Sequence, residues 1–286
     1  MSFGLPRGEN DERLTYGGYL KVRELMALQG LLSDPPQHDE TLFIIIHQVY
    51  ELWFKQLLHE LDTIVARLDN DETLAAHRLL RRCVEIERVL LSQVGILETM
   101  TPMDFLAFRD HLRPASGFQS SQFREIEIVS GLKDRRYLKN YKPGSEEYAC
   151  VAARLERPSL GEAFYDLLRR RGFDLPTGAA DGPADDERDV ALERRIRELI
   201  RIYRDADQHY DLFLLAESLI EYDEMFTLWR LRHVKMVERM IGGKTGTGGS
   251  EGAAYLMKTV ERRFFPELWE LRNHLGKGGG GCPVSG

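Results

Sequence analysis

The sequence predicts an all-α protein, a single helical domain built on long bundle helices. Three observations lead there. Apolar residues recur at three- and four-residue spacing over long stretches, the periodicity of a helix with one buried face. No Val- and Ile-rich segment alternates in the manner of a strand. No period of about 20–50 residues repeats along the chain, so a solenoid is not expected.

The elements follow in order. Asp39 is a candidate N-cap, with Glu40 adding negative charge at the positive end of a helix over residues 40–67. Asn70 or Asp71 can cap a second long helix that ends near Met100. Thr101-Pro-Met-Asp104 has the form of a helix start: a threonine cap, proline at the first position and an acid at the third. The short helix it opens carries Phe105, Phe108, Arg109 and Leu112. After a loop from Arg113 to Gly117, FQSSQFREIEIV reads as another helix. Residues 172–187, rich in Gly, Pro and Asp, form an exposed loop. Helices return over 188–204 and 207–241, and the second carries Tyr222, Phe226, Trp229, His233, Met236, Val237 and Met240 along one seam. Shorter helices close the fold, and the tail over 277–286 is expected to be disordered.

Composition sets the outer limits. With 286 residues, 43% hydrophobic and 30% charged, the chain reads as a soluble globular protein able to bury a substantial core. A formal net charge of −7 gives no basic footprint for nucleic acid. No apolar run has signal-peptide or membrane-spanning form, and a cytoplasmic location is expected. Cys83, Cys150 and Cys282 are too few and scattered for a disulfide framework or a zinc site. No Cys-x-x-Cys-His is present, which excludes covalently attached haem of that type.

The segment from Phe43 to Phe54 puts His47 on a stripe that is otherwise bulky and apolar, with Phe43 and Ile44 one turn behind and Tyr50 and Glu51 one turn ahead. An imidazole there is either a satisfied core group or the one polar contact of an apolar pocket, and pattern alone leans to the former. His233 has the same setting. Two such histidines on different long helices can flank a planar cofactor, one ligating iron and one facing the ligand; two unrelated core histidines remain the plainer reading of spacing. The other six histidines read as surface or packing residues, and no pair suits a non-haem di-metal bundle. The glycine-rich segment 242–250 is not a phosphate loop, since position 238 is Glu238 and a helix precedes it. It reads as a mobile loop able to approach a ligand, or as a plain linker. Arg109, among phenylalanines, is a surface arginine or a bidentate clamp for a carboxylate.

Four runs together, TYGGYL, FIIIHQVYELWFKQLLHELD, TPMDFLAFRDHLRPASGFQSSQFREIE and RLRHVKMVERMIGGKTGTGGS, resemble the tryptophan 2,3-dioxygenases, in that family's order and over roughly residues 14–276. The resemblance implies an all-helical homotetramer with a haem pocket, haem b that is ferrous in the active state, and O₂ as co-substrate. It implies that both oxygen atoms enter L-tryptophan across the indole C2–C3 bond, giving N-formyl-L-kynurenine. It assigns the axial iron ligand to His233 and the distal position, meeting the indole N–H, to His47. Phe43 and Ile44 lie against the substrate, Arg109 clamps its carboxylate, and Thr247 contacts its carboxylate and ammonium. Ser116 and Gly117 lie near the haem. Tyr16 and Tyr19 belong to an N-terminal segment, residues 1–20, that reaches into a neighbouring subunit's site; residues 21–276 form the haem dioxygenase domain. Phe105 departs from the tyrosine of many bacterial members and lacks its hydroxyl contact. Two alternatives stand beside this reading: an oxygenase of another indole on the same fold, and a haem-binding sensor without turnover. A helical scaffold without haem is the third.

Overall fold

The computed structural model describes residues 14–176, 185–244 and 253–276. These contain α1 (Tyr16–Leu20), α2 (Val22–Leu25), α3 (His38–Asp69), α4 (Thr73–Leu97), α5 (Pro102–Arg109), α6 (Ser121–Ser130), α7 (Glu146–Leu155), α8 (Leu160–Arg170), α9 (Asp185–Arg204), α10 (Tyr210–Ile241), α11 (Ala253–Val260) and α12 (Pro266–Glu270), with short 3₁₀ turns and no strand among the described residues. The all-α expectation holds. No helix among them is long and apolar enough to cross a membrane.

The frame is α3, α4 and α10 packed side by side. Leu57, Leu61, Ile64 and Leu68 of α3 lie on one stripe and are fully buried. They meet Leu80 and Val84 of α4 and Leu215 and Leu219 of α10 in one core. Each such side chain contributes about 1.5–3 kcal/mol relative to exposure. A smaller apolar cluster, Ile46, Val94, Leu97, Met100, Phe108, Met236 and Met240, ties α3, α4, α5 and α10 together at one end. That cluster backs the site described below.

Several local expectations need correction. Asp39 is not the cap of α3: the helix starts two residues earlier, at His38 after Gln37, and Asp39 and Glu40 lie in its first turn. Asn70 closes α3, donating Nδ2 to Ala66 O at 2.8 Å, while Asp71 takes φ 62° in the tight turn and Glu72 is the N-cap of α4. Short polar side chains tolerate that left-handed backbone, which explains their presence without a capping role. FQSSQFREIEIV is two pieces: a 3₁₀ turn over Gly117–Gln119, then α6. The Ser120 hydroxyl accepts from Phe123 N at 3.2 Å, a side-chain cap that begins a fresh helix. The 207–241 helix starts at Tyr210. The tail 277–286 and residues 177–184 of the expected 172–187 loop lie outside the described residues, and residues 185–187 already belong to α9. The start of α5 is as expected: Thr101 Oγ1 accepts from Asp104 N, and Asp104 accepts from Thr101 N at 3.0 Å. Gly242 ends α10 at φ 59°, a left-handed position that glycine takes without strain.

Between α4 and α10 the core holds an acid. Glu87 is 1% exposed and neither carboxylate oxygen has a hydrogen-bond partner. Burial first, and the nearby Asp223 second, push its carboxyl well above the ordinary carboxylate range. Glu87 is therefore held toward its neutral form in the folded state, against the opposing charge of Arg230. A raised folded pKa contributes stability that is full below the unfolded value, about 4.3, and is lost as pH rises through the folded one. Urea unfolding of the wild type should accordingly show stability falling toward alkaline pH, and Glu87→Gln should remove much of that slope. Identical pH slopes in the two proteins would mean that Glu87 is ionised in the core.

Candidate active site

The bundle forms a cavity of about 300 Å³ between α3, α4, α5, α6, α10 and α11. From α3 come Phe43, His47, Tyr50, Glu51 and Phe54; from α10, Trp229, Arg230, His233 and Met236. These positions recur at helical spacing, so each long helix turns one stripe to the cavity and the next to the core. The capping box at Thr101 sets the direction of α5, which carries Phe105 and Arg109 to the cavity.

Aromatic rings make the wall around His47. Phe43 lies 4.1 Å from the His47 ring, 5.8 Å from Phe105 and 5.6 Å from Phe108, while Phe105 meets Phe108 edge-on at 5.5 Å. His47 Nδ1 is 2.7 Å from Phe43 O. A carbonyl oxygen only accepts, so Nδ1 carries the proton and Nε2 keeps its lone pair. The ring has surface open to the cavity. Burial lowers its pKa, against opposing contributions from the Phe43 carbonyl and Glu51. His47 is a neutral acceptor at physiological pH.

His233 faces the same cavity from α10. Its ring stacks on Trp229 with centroids 5.4 Å apart and planes 13° from parallel. Burial, and the proximity of His47, lower its pKa to about 4. A neutral imidazole is the form that ligates a metal. No hydrogen bond to either ring nitrogen is found among the described residues, and the ring is turned to the cavity. Those residues hold no group of three or more His, Cys, Asp or Glu arranged for a metal ion, so each histidine stands as a single imidazole.

The floor is charged. Arg124 Nη1 donates to Glu127 at 2.5 Å and Arg230 Nη2 to the same carboxylate at 2.9 Å, all three side chains being buried. Two guanidiniums on one carboxylate leave a net positive charge. Arg124 is stacked among Phe118, Phe123 and Tyr137, at 5.7, 5.2 and 5.0 Å. Arg109 is 6% exposed at the end of α5 and lines the cavity.

Of the residues singled out in the sequence, the fold brings Phe43, His47, Phe105, Arg109, Ser116, Gly117 and His233 onto one cavity. A Cβ added at Gly117 would meet no protein atom within 4 Å, which leaves its backbone open to the cavity. Ile44 is a correction: it does not line the cavity. It lies one turn from Glu40 and from Gln48 on α3, turned about 100° from Phe43. Tyr16 and Tyr19 do not line it either; they sit on α1 and are 79% and 69% exposed. Thr247 lies outside the described residues. Sequence reading missed Arg124, Glu127 and Arg230. The available signal was an Arg/Glu pair three residues apart in α6 amid Ile126, Ile128 and Val129.

A helical bundle with an aromatic pocket, two imidazoles turned to it and buried cations has the make-up of a small-molecule site. The family model for tryptophan 2,3-dioxygenase matches residues 4–172 and 190–275. A tryptophan 2,3-dioxygenase of a Nocardioides species is 47% identical over 273 residues, 94% of this chain and 97% of that one. Those of Herpetosiphon aurantiacus and Anaeromyxobacter dehalogenans are 46% and 45% identical, each over 92% of this chain, and over 99% and 96% of their own lengths. The chain belongs to the tryptophan 2,3-dioxygenase family, and is an oxidoreductase.

Proposed function

We propose that this chain binds haem b through His233 and inserts both atoms of O₂ across the indole C2–C3 bond of L-tryptophan, releasing N-formyl-L-kynurenine. The observation that carries the reading is the pair of neutral imidazoles on facing helices, one without a partner and one with a free acceptor. The residues present fit haem: an apolar, aromatic pocket for the macrocycle, a single unsatisfied imidazole for the iron, and net positive charge at Arg124 and Arg230 for the anionic edge. Ferrous haem, when bound, supplies O₂ binding and activation.

The protein's own part is positioning. His47 Nε2 is an acceptor for the indole N–H, and Phe43 and Phe105 offer faces to the ring. Arg109 offers a planar fork to the substrate carboxylate, and Thr247 a hydroxyl near the carboxylate and ammonium. Phe105 contributes no hydroxyl, so the clamp rests more heavily on Arg109. The apolar wall of Val94, Leu97, Met236 and Met240 excludes water. In this reading the protein is a cytoplasmic homotetramer, and Tyr16 and Tyr19, exposed on the single subunit, complete a neighbour's pocket. A charged, buried Arg109 favours an amino-acid substrate over a simple indole, which has nothing to clamp.

Reduced, haem-loaded protein supplied with L-tryptophan and ¹⁸O₂ should form N-formyl-L-kynurenine carrying two labelled atoms. A product with one labelled atom, or a spectral response to tryptophan without turnover, would replace this reading by a monooxygenase or a sensor.

A further inference from the structure

α3 lines the cavity from Phe43 onward and holds the N-terminal segment with its first turns. Glu40, in its first turn, is fully buried. Its carboxylate accepts hydrogen bonds from Leu32 N at 2.7 Å, from Ser33 N at 3.1 Å and from the Ser33 hydroxyl. Ser33 Oγ in turn accepts from Gln37 N at 2.9 Å, which closes the loop onto the start of the helix. Two turns on, Gln48 donates Nε2 to Leu28 O at 3.1 Å and accepts from Gln29 Nε2 at 2.7 Å. Glu40 and Gln48 lie eight positions apart on α3, about 80° apart around it, and Glu40 stands one turn before Phe43 and two before His47, the residues that line the cavity.

The chain held this way leads back through α2 and α1, which bury no residue. Leu14, Tyr16, Tyr19 and Met26 are 61–79% exposed. A segment with no core contacts of its own takes its direction from where it is fastened. Apolar packing is non-directional and would fasten it loosely; a buried carboxylate with three donors fixes position and angle. Burying an acid is costly unless its bonds are made, and here burial alone would raise the Glu40 pKa. The bonds from Ser33 and from the Leu32 and Ser33 amides hold it below the ordinary range instead.

We infer that Glu40, assisted by Gln48, is a positioning residue for L-tryptophan binding, fixing the direction in which residues 14–27 leave α3 and hence where Tyr16 and Tyr19 are presented. The inference rests on the reading that those tyrosines complete a neighbouring subunit's pocket.

The test compares haem-loaded, full-length variants. Glu40→Gln puts an amide nitrogen against donors and should raise KM for L-tryptophan about tenfold, one decade in affinity, with kcat within about twofold of wild type and haem content unchanged. Amides of residues 14–33 should exchange faster, and those of residues 43–54 at the wild-type rate. Gln48→Ala, which leaves the helix start intact, should give a smaller rise of the same kind. A Tyr16→Ala/Tyr19→Ala double variant should also raise KM, and adding Glu40→Gln to it should have little further effect. A raised KM in the tyrosine variant with wild-type KM in Glu40→Gln and Gln48→Ala would overturn the inference and leave the shared-pocket reading standing. Wild-type KM in the tyrosine variant would overturn that reading and the inference with it. Loss of haem or of kcat in Glu40→Gln, or full additivity with the tyrosine changes, would show that Glu40 supports α3 alone.

Discussion

His233→Ala is expected to lose stable haem binding while the helices stay in place. The imidazole is neutral, has no hydrogen-bond partner among the described residues, and faces the cavity beside Trp229. Losing a partner that merely orients a metal ligand costs about 10–100-fold in affinity. Losing the ligand itself should cost at least the upper end of that range. The fold should tolerate the change, because truncating a side chain that lines an existing cavity enlarges it without opening a void in the packed core. Haem per subunit and the Soret band should therefore fall together while far-ultraviolet circular dichroism is unchanged, and added imidazole should restore part of the band. Full haem content in the variant would move the iron to another ligand, and His47 is the other imidazole on this cavity.

Arg109→Ala should weaken the use of L-tryptophan by at least about tenfold. Charge-assisted hydrogen bonds to a carboxylate contribute about 1.5–3 kcal/mol each, and about 1.4 kcal/mol is one decade. Arg109 is buried at the C-terminal end of α5, where a cation also suits the helix dipole, so a purely structural role has to be separated from a clamp. Tryptamine separates them because it lacks the carboxylate. If Arg109 is the clamp, the ratio of tryptophan to tryptamine efficiency collapses in Arg109→Ala, and Arg109→Lys recovers little, since lysine keeps the charge but not the planar fork. An equal loss on both substrates would assign Arg109 to the packing of α5 against α3 and α10.

What the sequence determined by itself was whatever is local or periodic. The start of α5 was legible because Thr101, Pro102 and Asp104 supply its cap within one turn, a choice made before any tertiary contact. The long helices were legible because a buried stripe must repeat every three or four residues, and the same stripes singled out His47 and His233 as lone imidazoles among apolar neighbours. Where local chemistry offers competing solutions, pattern failed: Asp39 and Asp71 resemble caps but occupy a first turn and a left-handed corner, and Ser120 splits an otherwise periodic helix. Only the tertiary structure decided which face of a helix meets which partner. Phe43 and Ile44 are adjacent and equally apolar, yet one lines the cavity and the other does not. Arg124, Glu127 and Arg230 gain a shared role only because α6 and α10 bury them together, and Glu40 reads as a helix-dipole charge until residues 32 and 33 fold over it. A charge's environment belongs to groups distant in the chain, so spacing along one helix says where a side chain points and not what it will meet.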